Sequence, residues 1–299
     1  QSLVEYGLDV NRPAKILIEN QLPGLFFHNM RLNTIDIQNT EANFYDTHAK
    51  IHYETKNGAQ LSISGYFGFD EANQLYLRDE NAQITLNETK NFWDNSTLSA
   101  AYTTRVGPMS LSESRIGYTV YGSEYSKDDF EFPLQRDSNG ANVDTVLLSP
   151  LSLSNSVNQF EAFHSFTTYL SGNRLEVGLS YSDFDVQYKE ISYVRQSFLS
   201  RRTSQLVDFF QQFDANPSSE IKLNLGSRFH YFSNGQYLRW SPRLKVNYQI
   251  HQKLSAGVGF SRNYQFINRL QFYNINSNDF WVLANEDQPP SAVNSYSGG

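Results

Sequence analysis

The chain has 299 residues, a formal net charge of −7 and no cysteine, which excludes disulfides, thiol catalysis and cysteine-based metal sites. The acidic balance also argues against a nucleic-acid partner, because such partners require basic patches. Mean hydropathy is −0.53, and no segment approaches the roughly 18 uninterrupted apolar residues of a transmembrane helix. That test does not detect transmembrane β-strands, since only their alternate residues face lipid.

Alternation of apolar and polar residues predicts about ten strands, and helical spacing of apolar residues is rare. One or two further strands are expected before Asn43, where the pattern is weaker. In the 109–125 strand, Leu111 and Ile116 share a face only if the strand is bulged. In chain order the predicted strands are 43–54, 61–69, 92–105, 109–125, 159–170, 175–182, 204–213, 220–232, 244–250 and 254–261.

The clearest of these strands is 220–232. Successive side chains of a strand point to opposite faces, so this segment has one apolar face and one polar, partly charged face. At about 3.4 Å per residue its length is sufficient to cross a tilted hydrocarbon layer. The apolar face carries Ile221, Leu223, Leu225, Phe229 and Tyr231, and the polar face carries Lys222, Asn224, Gly226, Arg228 and His230.

Short polar turns alternate with longer loops along the chain, at 56–58, 106–108, 171–173, 214–219 and 251–253. The four-residue loop after Ser233 is an exception among the longer loops. Short turns at one end of the strands and longer loops at the other end are typical of an up-and-down antiparallel wall, as in outer-membrane β-barrels. A soluble β-sandwich alternates in the same way, but its strands usually have about five or six residues. The barrel wall is therefore the favoured fold.

Several short segments resemble stretches of TonB-dependent outer-membrane receptors, in the same order along the chain. Trp240-Ser241-Pro242-Arg243-Leu244 resembles a strand opening of that family, and 261–266 resembles the end of its return strand. Taken singly these patterns are weak, and the resemblance rests on their order over 43–299. The further similar segments are 43–50, 92–95, 279–283 and 294–298.

The resemblance implies an all-β, up-and-down antiparallel transmembrane β-barrel wall in the bacterial outer membrane. It would supply roughly 10–12 strands of a barrel of about 22 strands. We expect one barrel segment over 1–299, with 1–42 uncertain and 43–299 forming strands and long extracellular loops. Nothing resembles the family's plug or its energy-coupling segment, so the chain is expected to be an interior fragment. The remaining barrel and plug would then lie elsewhere in the polypeptide, because open edge strands aggregate in water and leave backbone groups unpaired in lipid.

The function implied is energy-coupled import of a scarce nutrient, such as a metal chelate, glycan, peptide or cobalamin-like ligand. The partners implied are the ligand, membrane lipid, an inner-membrane energising protein and a surface lipoprotein. Two alternatives stay open: a passive outer-membrane barrel or scaffold, and a soluble carbohydrate-binding β-sandwich.

Arg228 and His230 are candidate ligand contacts, because strand direction places them toward the outer end and parity points them into the lumen. Trp281 is a third candidate, since a loop tryptophan can stack on a sugar or an aromatic ligand. For all three residues a purely structural role in the wall or loops is the main alternative.

No cofactor, metal site or catalytic activity is expected. His48 and His52 are about 13 Å apart on a strand, too far to share an ion. The segment 137–144 has oxygen ligands at alternate positions, but its Asn-Gly pair favours an ordinary turn. No nucleophile, phosphate-binding or dinucleotide-binding motif is present.

Overall fold

The computed structural model describes residues 2–9, 13–32, 36–80, 83–133, 146–147, 150–192, 197–270 and 280–299. Side chains are described for 41–76, 85–130, 150–192, 197–270 and 280–299. These residues form strands joined by turns and short irregular segments, and none of the described segments is helical. No helix among them is long and apolar enough to cross a membrane.

The strands are unusually long. Most contain 12 to 24 residues, whereas a tilted transmembrane β-strand needs about 9–11. They are β1 (Ser2–Asp9), β2 (Pro13–Leu32), β3 (Asp36–Glu54), β4 (Gln60–Glu80), β5 (Gln83–Arg105), β6 (Ser110–Pro133), β7 (Val146–Leu147), β8 (Leu151–Leu170), β9 (Asn173–Ser192), β10 (Phe198–Ala215), β11 (Ile221–Phe232), β12 (Tyr237–His251), β13 (Leu254–Gln265), β14 (Ile267–Leu270), β15 (Phe280–Leu283) and β16 (Ser291–Gly298).

Fourteen of these strands form one antiparallel sheet, ordered β1 to β6, then β8 to β13, then β16, with β7 paired to β6. Each strand of the main path pairs with its neighbour in the chain, apart from the insertions at β7 and β14–β15. The predicted all-β, up-and-down antiparallel fold is confirmed. Two strands precede residue 43, as expected, and the total exceeds the predicted ten to twelve. The described part of the sheet is open, with β1 and β16 as its edges.

Several connections predicted as long loops are instead continuations of the strands. Glu80 pairs with Gln83, so the hairpin over 70–91 is nearly closed at that end, and β9 and β10 stay paired as far as Glu190 and Phe198. The predicted bulge in the 109–125 strand is absent: β6 keeps an unbroken register with β5 and β8. Leu111 and Ile116 therefore lie on opposite faces.

The short turns use the backbone geometry that tight hairpins require. Leu170 pairs with Asn173, which leaves Ser171 and Gly172 as a two-residue turn with φ values of 48° and 83°. Positive φ at both positions matches the twist of the flanking strands and favours glycine. The turn at 233–236 has the same requirement at Gly235.

The two faces of the sheet differ in chemistry across many strands. One face, here called the outer face, carries a continuous row of paired side chains that are mostly large and apolar. It comprises Ile51, Ile63, Ala100, Ile116, Ala162, Tyr181, Val207, Tyr231 and Leu238. Every large member of this row is solvent-exposed, from Tyr181 at 36% to Leu238 at 69%.

The opposite face, here called the inner face, carries mainly polar and charged side chains along the neighbouring row. It comprises His52, Ser62, Ala101, Arg115, Phe163, Ser180, Asp208, His230 and Arg239. The face assignment predicted for 220–232 is thus observed: Leu225 on the outer face is exposed, whereas His230 on the inner face is buried.

The hairpin β14–β15 packs on the inner face and creates the main apolar cluster there. Phe266 and Leu283 lie side by side at the open end of this hairpin, and they pack against Phe232, Val157 and Phe184 of the wall. Asn155 of β8 fixes β15, since its side chain accepts from the Trp281 N–H at 2.8 Å and donates to the Trp281 carbonyl at 3.2 Å. The hairpin follows β13 yet contacts β8 and β9, so it spans the inner side of β10 to β12.

Gly178 on β9 leaves room for the ring of Phe210. A Cβ at this position would lie 2.4 Å from the Phe210 ring and 2.6 Å from the His164 carbonyl oxygen, which is backbone and cannot move aside. We predict that Gly178→Ala lowers the free energy of unfolding by about 1–3 kcal/mol, the usual cost of overpacking. Urea unfolding of the refolded protein measures this change.

Gly117→Ala is the matched control, because a Cβ there would meet its nearest neighbours at 3.8 Å, an ordinary contact. Equal effects of the two substitutions would contradict the proposed packing of Phe210 over Gly178.

Candidate functional site

A buried hydrogen-bonded line crosses three neighbouring strands on the inner face. The register pairs Asp208 with His230, and His230 faces Ser241 one strand further on. His230 Nδ1 lies 2.7 Å from Asp208 Oδ1, and His230 Nε2 lies 2.8 Å from Ser241 Oγ. Asp208 and His230 are 5% and 6% exposed. Both imidazole nitrogens are therefore satisfied, which fixes the orientation of the ring.

Arg228 joins this line from the same face of β11. Its Nη1 lies 3.6 Å from Asp208 Oδ2, and the Ser180 hydroxyl donates to the same oxygen at 3.2 Å. Asp208 thus has one oxygen toward His230 and the other toward Arg228 and Ser180. A buried carboxylate requires such compensation, because desolvation of a charge is costly when it is unpaired.

Arginine and aromatic side chains alternate along the inner face beside Asp208. The Arg228 guanidinium lies over the Phe210 ring at 5.2 Å, and Phe210 stacks on Phe163 at 5.6 Å. Arg115 lies over the other end of the stack, 4.2 Å from the Phe163 ring centre. Cation–π contacts of this kind hold a guanidinium in place without neutralising it.

Aromatic rings cover the His230 side of the line. Phe266 lies 5.4 Å from the imidazole, and Tyr264 meets it edge-on at 6.2 Å. Phe266 also packs on Phe232 at 5.0 Å, and Phe232 is fully buried. Tyr264 at the end of β13 and Phe266 just after it therefore shield His230 from water and strengthen its hydrogen bonds.

A cavity of about 210 Å³ opens beside Ser241, where β12 and β13 diverge. Its lining contains three arginines and no carboxylate, together with the rings of Phe210 and Tyr264. The arginines are Arg228, Arg243 and Arg262. Gln212 and Asn263 add hydrogen-bonding groups, so the cavity is polar and positively charged.

The order Asp–His–Ser is the one that activates a serine nucleophile in hydrolases. Here, however, Ser241 is 9% exposed, and Asp208 also holds Arg228 and Ser180. We therefore interpret the line as a structural network that fixes the inner wall. The absence of catalysis stays a prediction.

Two of the three residues predicted from the sequence come together in this site. Arg228 and His230 both line the cavity, as strand parity indicated, and ligand contact by them stays a prediction. Trp281 lies elsewhere: it packs edge-on against Tyr121 at 6.4 Å and lines a separate cavity of about 270 Å³ with Tyr188 and Arg202. Its packing on the wall matches the structural alternative.

Asp208 and Ser241 were not identified from the sequence as members of the site. Parity within 204–213 places Asp208 on the polar face, but only the register between β10 and β11 shows that it faces His230. The possible calcium loop at 137–144 lies outside the described residues.

The chain was compared with known proteins. No protein-family model matches it, and no curated protein matches it. A similar solved structure is the translocator domain of the autotransporter NalP from Neisseria meningitidis, with 12% sequence identity and a TM-score of 0.36. The match covers 85% of this chain and 84% of that one. Similarity at this level carries no information about function.

The resemblance to TonB-dependent receptors drawn from the sequence is wrong. No family model supports it, and the similar structure is an autotransporter translocator domain, not a TonB-dependent receptor. The short strand-opening motifs are found in segments such as β12 and β15, whose residues serve general wall and packing roles. What the structure does show is an all-β, up-and-down antiparallel sheet.

The hydrogen-bonded line predicts strong coupling between its members. We expect Asp208→Asn to lower the free energy of unfolding by about 1–3 kcal/mol, because it weakens the bonds to both His230 and Arg228. In the double variant with His230→Gln, the two effects should be clearly less than additive, as for residues in direct contact. Urea unfolding of the four proteins of this cycle measures the coupling.

Ser110→Ala is a suitable control, because its hydroxyl bonds only to Thr168 on the same sheet, away from the line. Additive effects of Asp208→Asn and His230→Gln would show that the two side chains act independently.

Proposed function

We propose that the chain forms the wall of a passive outer-membrane β-barrel or scaffold, with its outer face toward lipid and its inner face toward water. The main support is the outer-face row, which crosses nine neighbouring strands and carries large, exposed apolar or aromatic side chains on seven of them. Exposed apolar area of this extent is rare on soluble monomers and marks a surface that meets lipid or protein.

The dimensions of the apolar band fit a bilayer. Tyr248 pairs with Ile221 at one end of β11, and Leu238 pairs with Tyr231 at the other. Tyr231 lies ten residue steps after Ile221, which corresponds to about 33 Å along the strand. At a tilt of about 45° this spans roughly 23 Å, close to the apolar band of about 25 Å in outer-membrane barrels.

Aromatic residues lie at both ends of this band. Trp240 stacks on Phe229 at 6.4 Å, and its indole N–H donates to Ser227 at 2.7 Å. Tyr231 lies on the same end and Tyr248 on the opposite end. Amphipathic rings concentrate at the two membrane interfaces, so this distribution supports the proposed orientation.

The soluble-sandwich alternative has less support. A sandwich buries the apolar faces of two sheets against each other, but no second sheet covers the outer face among the described residues. The apolar clusters that are present lie on the inner face, under the β14–β15 hairpin. Energy-coupled import depended on the family resemblance that is corrected above, and it is not part of this proposal.

The proposed partners are membrane lipid and the strands that close the barrel. β1 and β16 do not pair with each other in the described residues, and unpaired edges are prohibitive in lipid. Closure therefore requires that these edges pair with each other or with additional strands. The proposed location is the bacterial outer membrane, and no nucleic acid, cofactor or covalent reaction is involved.

The proposal predicts that charge is harmful within the apolar band of the outer face but not on the inner face. Leu225 lies in the middle of the band, paired with Leu244 and Phe213. We expect Leu225→Arg to destabilise the inserted full-length protein by about 2–4 kcal/mol, because the guanidinium would face lipid. The measurement is the amount of protein in the outer-membrane fraction, together with its heat-modifiable mobility in gels.

Glu161→Arg is the matched control, since Glu161 is exposed on the inner face, between Gly117 and Ser182. It should insert at the wild-type level. The proposal would fail if wild-type protein were a stable monomer in water without detergent, or if the two variants behaved alike.

A further inference from the structure

We propose that the cavity between β12 and β13 is a binding site for a small oxyanion, a phosphate or carboxylate group carried by a solute in the barrel interior. This inference rests on the proposed function, because a water-filled interior gives solutes access to the inner face. The site would hold the oxyanion on Arg228 and Arg243, with Arg262 at its rim.

The arginines that line the cavity carry positive charge. Some arginines outside this cavity are ion-paired: Arg174 pairs with Asp214 and Glu176, and Arg201 pairs with Asp185. Among the described residues, Arg243 and Arg262 have no carboxylate within 4 Å. Arg228 is paired with Asp208, so in a chain of net charge −7 the local excess of positive charge comes from Arg243 and Arg262, with no acidic residue in the cavity lining.

The Arg228 side chain is held in position by its neighbours. Arg228 is held from one side by Asp208 at 3.6 Å and from below by the Phe210 ring, while His230 and Ser180 hold Asp208. Its guanidinium keeps donors available, because a single contact at 3.6 Å does not saturate five N–H groups. A fixed guanidinium binds an oxyanion with a smaller loss of side-chain entropy than a mobile one.

Gly226 leaves space for the side chain of Arg243. Arg243 pairs with Gly226, and a Cβ on Gly226 would lie 3.3 Å from Arg243 Cβ and 3.9 Å from its Cδ. The aliphatic part of Arg243 therefore lies across the glycine, along the inner wall. The absence of a side chain at position 226 keeps the cavity open beside the arginine.

Size and lining define the class of ligand. About 210 Å³ accommodates a phosphate or carboxylate group with a few additional heavy atoms. Guanidinium groups bind these oxyanions in a bidentate manner, and the amides of Gln212 and Asn263 offer further hydrogen bonds. The rings of Phe210 and Tyr264 border the cavity, which favours a ligand whose non-ionic part is flat or apolar.

The test uses purified full-length protein in lipid-free detergent at low salt, titrated with inorganic phosphate and, separately, with acetate. Line broadening of the ³¹P and ¹³C signals reports binding. We expect Arg243→Gln to weaken binding at least about tenfold, as loss of one charge-assisted pair predicts. Arg243→Lys should retain part of the affinity because it keeps the charge but loses the planar fork.

Arg201→Gln is the control, since Arg201 lies on the other face and pairs with Asp185 at 2.7 Å. It should bind phosphate as wild type does. Heat-modifiable mobility verifies that each variant is folded, and Arg262→Gln provides a second variant if Arg243→Gln does not fold. No binding by wild type, or equal binding by wild type and the arginine variants, would overturn the proposal.

A liposome-swelling assay on the same preparations separates this inference from the proposed function. Solute permeation without arginine-dependent phosphate binding would leave the passive barrel intact and remove the oxyanion site. Arginine-dependent binding without permeation would support the site and contradict a passive pore. Displacement of phosphate by lipopolysaccharide, whose lipid carries phosphate groups, would assign the site to lipid rather than to solutes and overturn the proposal as stated.

Discussion

The structure depends on one constraint: backbone pairing in a single antiparallel register that continues through thirteen neighbouring strands of the sheet path. Side chains of a strand alternate between faces, so a shift of one residue would exchange the faces of an entire strand. Because the described register is nearly unbroken, one apolar row and one polar row extend across the sheet. The proposed function and the inner-face site both depend on this separation of apolar and polar rows.

The same register explains why the inner-face site forms where it does. Asp208, His230 and Arg239 occupy one row on three neighbouring strands, and Ser241 lies two residues further along β12. Glycine at 178 and 226 creates space for Phe210 and Arg243 in this region. The divergence of β12 from β13 beyond Arg243 and Ser261 then opens the cavity. Regular pairing positions the polar groups, and its local interruption makes them accessible.

Strands and faces could be predicted from the sequence because they are local properties. The alternation of Ile221, Leu223 and Leu225 with Lys222 and Asn224 specifies both the strand and its two faces. Pairing partners are non-local, so the sequence did not reveal that Asp208 faces His230. The extension of β4 and β5 toward Glu80 and Gln83 was also missed, since 70–91 lacks regular apolar alternation.

The packing of the inner-face hairpin could not be predicted from the sequence, and the family resemblance was wrong. The physical reasons differ. Contact of Trp281 with Asn155 joins residues 126 positions apart, and nothing local to 279–283 indicates it. The family resemblance failed because its motifs, such as Trp240 to Leu244, are short patterns of aromatic, polar and arginine residues at the start of a strand. Membrane-interface strands in unrelated barrels require the same residue types.

The central claim is that the outer face of β11 meets lipid and the inner face meets water. The chain has no native cysteine, so single cysteines at positions 221 to 232 can each carry a spin label in the membrane-inserted full-length protein. The account predicts a period of two: labels at the odd positions 223, 225 and 229 should be relaxed by oxygen, and labels at 222, 226 and 228 by a water-soluble nickel complex. Uniform access of the nickel complex to both sets, or the opposite alternation, would contradict it.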